Sequence, residues 1–500
     1  MLAYHYGRAA NDEKGLEYAL KAAHAARDIF ANQEAVDLYT QAERHLQALG
    51  EEGYWVTAVE LYLARSNVLM SLGNLNMAYE DTQKGLTLAQ KFQATHAVAE
   101  AVVLKAEIRY RQGELEEVRE LTALVVNELQ ASATPEQMAK AHIWAGWATG
   151  TLHDHQQALA HLQEAEGICM AVQNNYLLAR VFEAQSYAYY LQKELKLSLA
   201  AMQKSVLLSR EFSTPLNLGT AYSNVGFVQF MLGQYEEALV TFDEAVRIGR
   251  ESGRNLLVMA LANRGATLSR LGYFPEALVD FEEAIELLRG MNYPGLQVET
   301  YLFWGFEYSN VLGRWREGRT HFEKAAKIIN QHPDGFIEER ARLLIGLGQV
   351  ELNEGDLRQA ELLLHEAMMV IEDKELYWWR PVALYFMGQL FVAKLELAQA
   401  KQFFTDALDA FAYSGSPDYK PLVLLELARL ESDERKQELY LRQCLTAVRE
   451  GTRLTDRIVC LGEVGRLFSD RPDPELHQLG QECLREKVDL QNRTLHHMPK

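Results

Sequence analysis

Four histidines, His142, His153, His155 and His161, fall in one stretch of the chain and are of a type that binds metal through imidazole nitrogen. Their spacing is loose, and His153 and His155 fall at a turn, so they read as solvated turn histidines and no metal is expected. The carboxylate pairs Glu236-Glu237 and Glu282-Glu283 are of the type used in acid–base catalysis, but they are more simply exposed helix faces. The cysteines Cys169, Cys444, Cys460 and Cys483 form no CxxC pair, which removes zinc-knuckle and redox motifs and fits reduced thiols. Asn492-Arg493-Thr494 is a glycosylation triplet, expected to be silent because the N-terminus, MLAYHYGRAANDEKG, has no apolar signal region.

No GxxxxGK[ST] loop is present to cradle phosphates, no GxGxxG follows a strand, and no HExxH, GxSxG or kinase set occurs. No catalytic residue and no cofactor are therefore expected, and the chain reads as a non-enzyme. Its 500 residues carry a formal net charge of −19 without a basic run, so a direct nucleic-acid contact is not expected. No stretch approaches the roughly 18 apolar residues that suggest a membrane span, and a cytoplasmic location is expected.

What must position any functional residue is helix. Hydrophobic residues make up 48% of the chain, and there are only 11 prolines. Two segments repeat: GFVQFMLGQYEEALVTFDEAV from Gly226 and GATLSRLGYFPEALVDFEEAI from Gly265. A small residue opening the second helix of each unit recurs at Ala35, Ala78, Val118, Ala158, Ser198, Ala238, Ala277, Gly318, Ala360 and Ala400. From Ala78 onward the spacings are 40, 40, 40, 40, 39, 41, 42 and 40. Four residues later a large group is common (Tyr39, Leu162, Met202, Phe242, Phe281, Phe322, Leu364, Phe404), and three further on a small one (Ala42, Gly85, Ala165, Ser205, Ala245, Ala284, Ala325, Ala367, Ala407). Residues three and four apart share a helix face, so small groups admit a neighbouring helix and the large group fills the groove. Val118, Thr122 and Val125 fit this pattern worst. Gly73, Gly113, Gly233, Gly272, Gly313 and Gly355 sit at the turns and are expected in the left-handed conformation that ends a helix.

This pattern resembles the tetratricopeptide repeat family, whose ordinary period is about 34 residues. The period near 40 implies helices nearly a turn longer. The resemblance implies an all-α, right-handed solenoid of antiparallel helix hairpins. Residues 1–50 are expected to form an N-terminal helical cap, 51–412 a superhelix of about nine repeats, 413–490 degenerate C-terminal helices that cap the array, and 491–500 a frayed tail. No Gly-, Pro- or Ser-rich linker interrupts the chain, so one continuous superhelix is expected.

In that family the first helix of each hairpin lines the concave surface. The matching positions read Asn67, Glu107, Trp147, Tyr187, Phe227, Ala266, Glu307, Gln349 and Gln389, and, three further on, Met70, Tyr110, Gly150, Tyr190, Phe230, Ser269, Asn310, Leu352 and Val392. The aromatic members Trp147, Tyr187, Tyr190, Phe227 and Phe230 are the candidate partner-binding residues, with burial in the core as the competing reading. Only Asn67 and Asn310 match the family's carboxylate clamp in part, so recognition of an acidic chaperone tail is not expected.

A narrower resemblance covers Leu2–Leu46, which looks like the start of the repeat arm of STAND-class signalling ATPases, a class that includes activators related to the maltose-regulon regulator. The chain begins where that arm would begin, so the ATPase and output domains are expected to be absent. The resemblance implies a protein- or peptide-binding scaffold or sensor arm in bacterial signalling or transcriptional regulation. Its partner would be a protein or peptide in the groove, with a separate STAND ATPase, cyclase or kinase as a further candidate. The alternative is a sensor of a small ligand or pheromone peptide whose superhelix changes conformation on binding.

Overall fold

The computed structural model describes residues 11–29, 31–152, 154–192, 194–212, 214–289, 294–310, 313–332, 335–414, 419–449 and 453–495. His153, the start of the stretch from Leu2, the side chains of Asn310 and Asn492, and residues 496–500 lie outside them. The chain divides into two units, Met1–Phe212 and Ser213–Lys500.

Every regular element among the described residues is helical. The first unit holds α1 (Asp12–Asp28), α2 (Asn32–Leu49), α3 (Trp55–Ser71), α4 (Leu75–Lys91), α5 (Thr95–Gln112), α6 (Leu115–Ala123), α7 (Pro135–Thr151), α8 (His155–Ala171), α9 (Asn175–Leu191) and α10 (Leu195–Phe212). The second holds α11 (Pro215–Met231), α12 (Tyr235–Ser252), α13 (Arg254–Leu271), α14 (Phe274–Leu288), α15 (Pro294–Asn310), α16 (Trp315–Ile329), α17 (Ile337–Glu354) and α18 (Leu357–Asp373). It continues with α19 (Arg380–Ala393), α20 (Leu397–Ser414), α21 (Lys420–Leu430), α22 (Glu434–Arg449), α23 (Leu454–Ser469) and α24 (Pro474–Leu495).

Odd-numbered helices open each hairpin and even-numbered helices close it. A closing helix packs on its own opening helix, and opening helices also touch one another in series: α3 with α5, α5 with α7 and α7 with α9 in the first unit, α11 with α13, α13 with α15, α15 with α17 and α17 with α19 in the second. The opening helices therefore form the inner face of each unit, and both units are α-solenoids of antiparallel hairpins.

Local signals set the helix ends. Thr134 caps α7 through its hydroxyl, which accepts from the Gln137 backbone N–H at 3.1 Å, while the Gln137 amide oxygen accepts from the Thr134 N–H at 2.9 Å. This reciprocal box, followed by Pro135, starts the helix cleanly. The turn glycines expected to be left-handed have positive φ, from 62° at Gly313 to 89° at Gly355, which a side chain would strain. Most complete helices are 17 or 18 residues long, as in α3 and α5, which supplies the extra length in the period.

The repeat register coincides with burial. Every small residue that opens a closing helix is buried, from Ala35 to Ala400, and so is every large group four residues later. Val118, Thr122 and Val125 are buried too, although their helix departs from the pattern: beyond Ala123 it widens into a π-helical turn over Leu124–Glu128. The large group needs a gap in the opening helix opposite. A Cβ placed on Gly226 would come within 2.8–2.9 Å of the Phe242 ring, and one on Gly146 within 2.6 Å of Leu162. In the α3–α4 hairpin the opening helix carries a Cβ at this position, and the residue opposite is small: the Ser66 and Thr82 hydroxyls are hydrogen-bonded at 2.7 Å. The two helices are therefore complementary in volume.

Ion pairs to a buried aspartate fasten two hairpins in the same way, one in each unit. Arg65 grips Asp81 with Nε at 2.6 Å and a terminal nitrogen at 2.8 Å, and Arg264 grips Asp280 with both contacts at 2.7 Å. Each arginine directly precedes the small residue of its opening helix, so one register position serves both. Planar, two-point arginine–carboxylate pairing of this kind fixes rotation as well as distance.

Candidate functional site: the inner aromatic faces

The position after the small residue of an opening helix is turned about 100° from it around the helix axis, and the position three further on about 40°. In the first unit this brings rings from three successive opening helices together. Tyr110 on α5 meets Trp144 and Trp147 on α7, with ring centroids 5.4 and 5.9 Å apart. Trp147 meets Tyr187 on α9 at 4.8 Å, and Tyr187 neighbours Tyr190 at 6.5 Å. Trp144 is buried, whereas Tyr110, Trp147, Tyr187 and Tyr190 are half-buried, neither sealed in the core nor fully solvated. Burial pushes the Tyr110 hydroxyl up to about 12, so it stays protonated and can donate at any physiological pH. The Trp147 indole N–H is buried and finds no hydrogen-bond partner among the described residues. Arg180 lies behind the strip, its guanidinium 5.9 Å from the Trp144 ring.

Phe227 and Phe230 lie on α11, in the second unit, and are also half-buried. Phe230 packs edge-on against Tyr235 at 5.4 Å, and the Arg270 guanidinium sits 5.4 Å from its ring. Arg270 in turn pairs with Glu307, whose other carboxylate oxygen accepts from the Ser269 hydroxyl. Beyond α11, then, the inner face of the second unit changes from aromatic to ionic and amide groups.

Other inner positions are dispersed. Asn67 is exposed and Glu107 half-buried, whereas Met70, Gly150, Ala266, Ser269, Glu307 and Gln349 are buried. Tyr110 belongs to the same register as Tyr190 and could have been added to the aromatic set on that ground. Arg270 escapes the register, and its only signal is a cation beside a groove position at the end of an opening helix.

Of the histidines, His142 and His161 face each other with Nδ1 atoms 3.1 Å apart, and burial lowers the affinity of both for protons. Among the described residues no group of three or more His, Cys, Asp or Glu side chains is arranged to hold a metal. The four cysteines are buried free thiols. No described helix is long and apolar enough to cross a membrane.

Residues 217–290 match the tetratricopeptide repeat family. This segment carries tetratricopeptide repeats. The matched segment contains the two self-similar units and the α11–α14 hairpins, with Phe227 and Phe230 inside it. Solved structures that align with the chain include the anaphase-promoting complex hetero-tetramer Cut9–Hcn1, at TM-score 0.49 and 14% identity, covering 98% of this chain and 89% of that one. A signal-transduction ATPase with numerous domains and a tetratricopeptide repeat sensor, from Pyrococcus horikoshii, aligns at TM-score 0.48 and 15% identity over 67% of this chain and 52% of that one. The apo quorum sensor NprR from B. thuringiensis aligns at TM-score 0.48 and 13% identity over 72% of this chain and 99% of that one. No curated protein matches the chain.

Proposed function

We propose that the chain is a non-catalytic scaffold or sensor arm that binds a protein or peptide segment on the inner face of its repeats, as part of a signalling or regulatory assembly. The observation that carries this reading is the strip Tyr110–Trp147–Tyr187–Tyr190, four half-buried rings from three successive opening helices. Rings in a concave setting bury large apolar area at low entropic cost and dominate many interfaces. Phe227 and Phe230 would form a separate aromatic patch within the second unit. The buried indole N–H of Trp147 is a donor that a partner carbonyl would satisfy after a small rotation of the ring. A STAND ATPase, cyclase or kinase is the class of partner that the N-terminal resemblance suggests.

Trp147→Ala and Tyr187→Ala, singly and together, test the reading. The expected outcome is co-purification of a partner by the wild type, an affinity loss of about 2 kcal/mol or more in the variants, and little change in melting. Melting that collapses in step with losses of about 3–5 kcal/mol per ring would assign these aromatics to the core.

A further inference from the structure

In several hairpins a long side chain of the opening helix plugs the groove between its own closing helix and the preceding one. Arg65 on α3 reaches Asp81 on α4 and, at 2.7 Å, Glu43 on α2. Arg264 on α13 reaches Asp280 on α14 and, at 2.8 Å, Asp243 on α12. Arg109 on α5 pairs with Glu117 on α6 at 2.7 Å and lies 4.2 Å from the Tyr79 ring on α4. Trp304 on α15 stacks on His321 of α16 with centroids 4.2 Å apart and meets Phe281 of α14 at 5.8 Å. Each plug either directly precedes the small residue of its helix, as before Ser66, Gly265 and Gly305, or follows it by three, as after Ala106. Those two positions are four apart and share one helix face.

In the α7 hairpin the two positions hold Ala145 and Thr149, the smallest pair in the series from α3 to α19. Too short to span the groove, they form the buried floor of a pocket of about 510 Å³. One wall is α6, extended by Val126 and Asn127 from the π-helical turn, a distortion common at functional sites. The other wall is α8, with Gln157 and His161. His161 stands three residues after Ala158, as His321 stands three after Gly318. Where the plug is Arg65 or Arg264, that position holds Asp81 or Asp280 instead. The closing helix is thus matched to its plug, aspartate to a guanidinium and histidine to a ring. The Nδ1 contact with His142 at 3.1 Å orients the His161 imidazole, and burial, which lowers its affinity for protons, keeps it neutral at pH 7. His161 is therefore matched to a ring that α7 does not supply.

We propose that this socket binds a planar bicyclic aromatic small molecule, of the indole or purine class, stacked on His161 as Trp304 is stacked on His321. Its volume lies in the range of ligand sites and is larger than one inserted side chain occupies, which favours a free ligand over a ring offered by a partner protein. The side-chain amides of Asn127 and Gln157, both exposed at the mouth, offer donors and acceptors to ring nitrogens. Trp147 of the aromatic strip lies about 200° around α7 from Ala145. The socket therefore faces away from the strip, and the inference does not rest on it.

The test is calorimetric titration of the full chain with indole, adenine, 2-naphthol and the saturated decahydro-2-naphthol. At least one of the aromatic probes should bind saturably at one site per chain, indole against adenine telling the two ring classes apart, and the saturated alcohol should bind at least about tenfold more weakly than 2-naphthol. Ala145→Trp supplies the missing plug and should abolish binding in a chain that circular dichroism shows to be folded. If that variant does not fold, Thr149→Tyr carries the same test, and the His161 pair carries it independently: His161→Ala should weaken binding about tenfold, whereas His161→Phe, which keeps a ring face, should retain it. Trp147→Ala should leave probe binding intact, so this site and the partner surface can fail separately. The proposal is overturned if no aromatic probe binds saturably, if the folded plug or His161→Ala variants bind like wild type, or if the saturated alcohol binds as tightly as 2-naphthol.

Discussion

Gly226→Ala places one methyl group between two helices. The new Cβ would stand 2.8–2.9 Å from three carbons of the Phe242 ring, which is 1% exposed. Carbon atoms rest at about 3.5–4.0 Å, so the ring must retreat by roughly 0.7–1 Å into a packed interior. Overpacking of this kind costs about 1–3 kcal/mol. Replacing a mid-helix glycine by alanine returns about 1 kcal/mol of helix propensity. The net expectation is a loss of up to about 2 kcal/mol. Gly167 isolates the packing term: it is exposed within α8, and a Cβ there meets nothing within 4 Å. Gly167→Ala should therefore stabilise by about 1 kcal/mol, leaving the two variants about 1–3 kcal/mol apart. Urea unfolding followed by circular dichroism measures the difference in midpoints. Phe242→Met, which imitates the Ser186–Met202 hairpin, should recover part of the Gly226→Ala loss. Equal stabilisation by the two alanines would refute the claim that the ring rests on the glycine.

Ala238→Leu puts a larger side chain where the residue is 0% exposed, and melting should fall by the equivalent of about 1–3 kcal/mol. Arg65→Ala leaves Asp81, 4% exposed, without its two-point partner and should cost about 3–5 kcal/mol, while the double variant Arg65→Met/Asp81→Leu should recover most of it; a mild single variant in denaturant titration would show that the pair is dispensable. Burial, reinforced by Lys324, lowers the His321 pKa from 6.5 to about 4. As pH falls below 6.5 the unfolded imidazole takes up a proton that the folded one refuses, so stability is complete above 6.5 and falls by about 3 kcal/mol toward pH 4. His142 and His161 act in the same direction, and His321→Phe should flatten the measured slope of stability against pH.

The hairpin register was legible in the chain itself. Helix packing at close range demands small residues at fixed positions, and a period near 40 displays them without any three-dimensional information. The same period nominates inward positions of an opening helix, and Trp147, Tyr187, Tyr190, Phe227 and Phe230, the aromatic residues at the nominated positions, are half-buried. The turn glycines were legible for a local reason, the positive φ with which the chain leaves α3, α5, α11, α13, α15 and α17. Tertiary structure decided what the period cannot encode. How closely successive opening helices approach determines whether an inward residue is exposed like Asn67 or enclosed like Glu307, whose Arg270 and Ser269 partners come from the preceding hairpin. A pocket that includes Gln389, Tyr419 and Arg453 draws on five hairpins, and Arg453 lies in the C-terminal region where the repeat pattern has faded. Periodicity records contacts within a hairpin, where distance along the chain is short and constant. Contacts across hairpins depend on the rotation from one unit to the next, and that rotation is set by the summed shapes of many side chains.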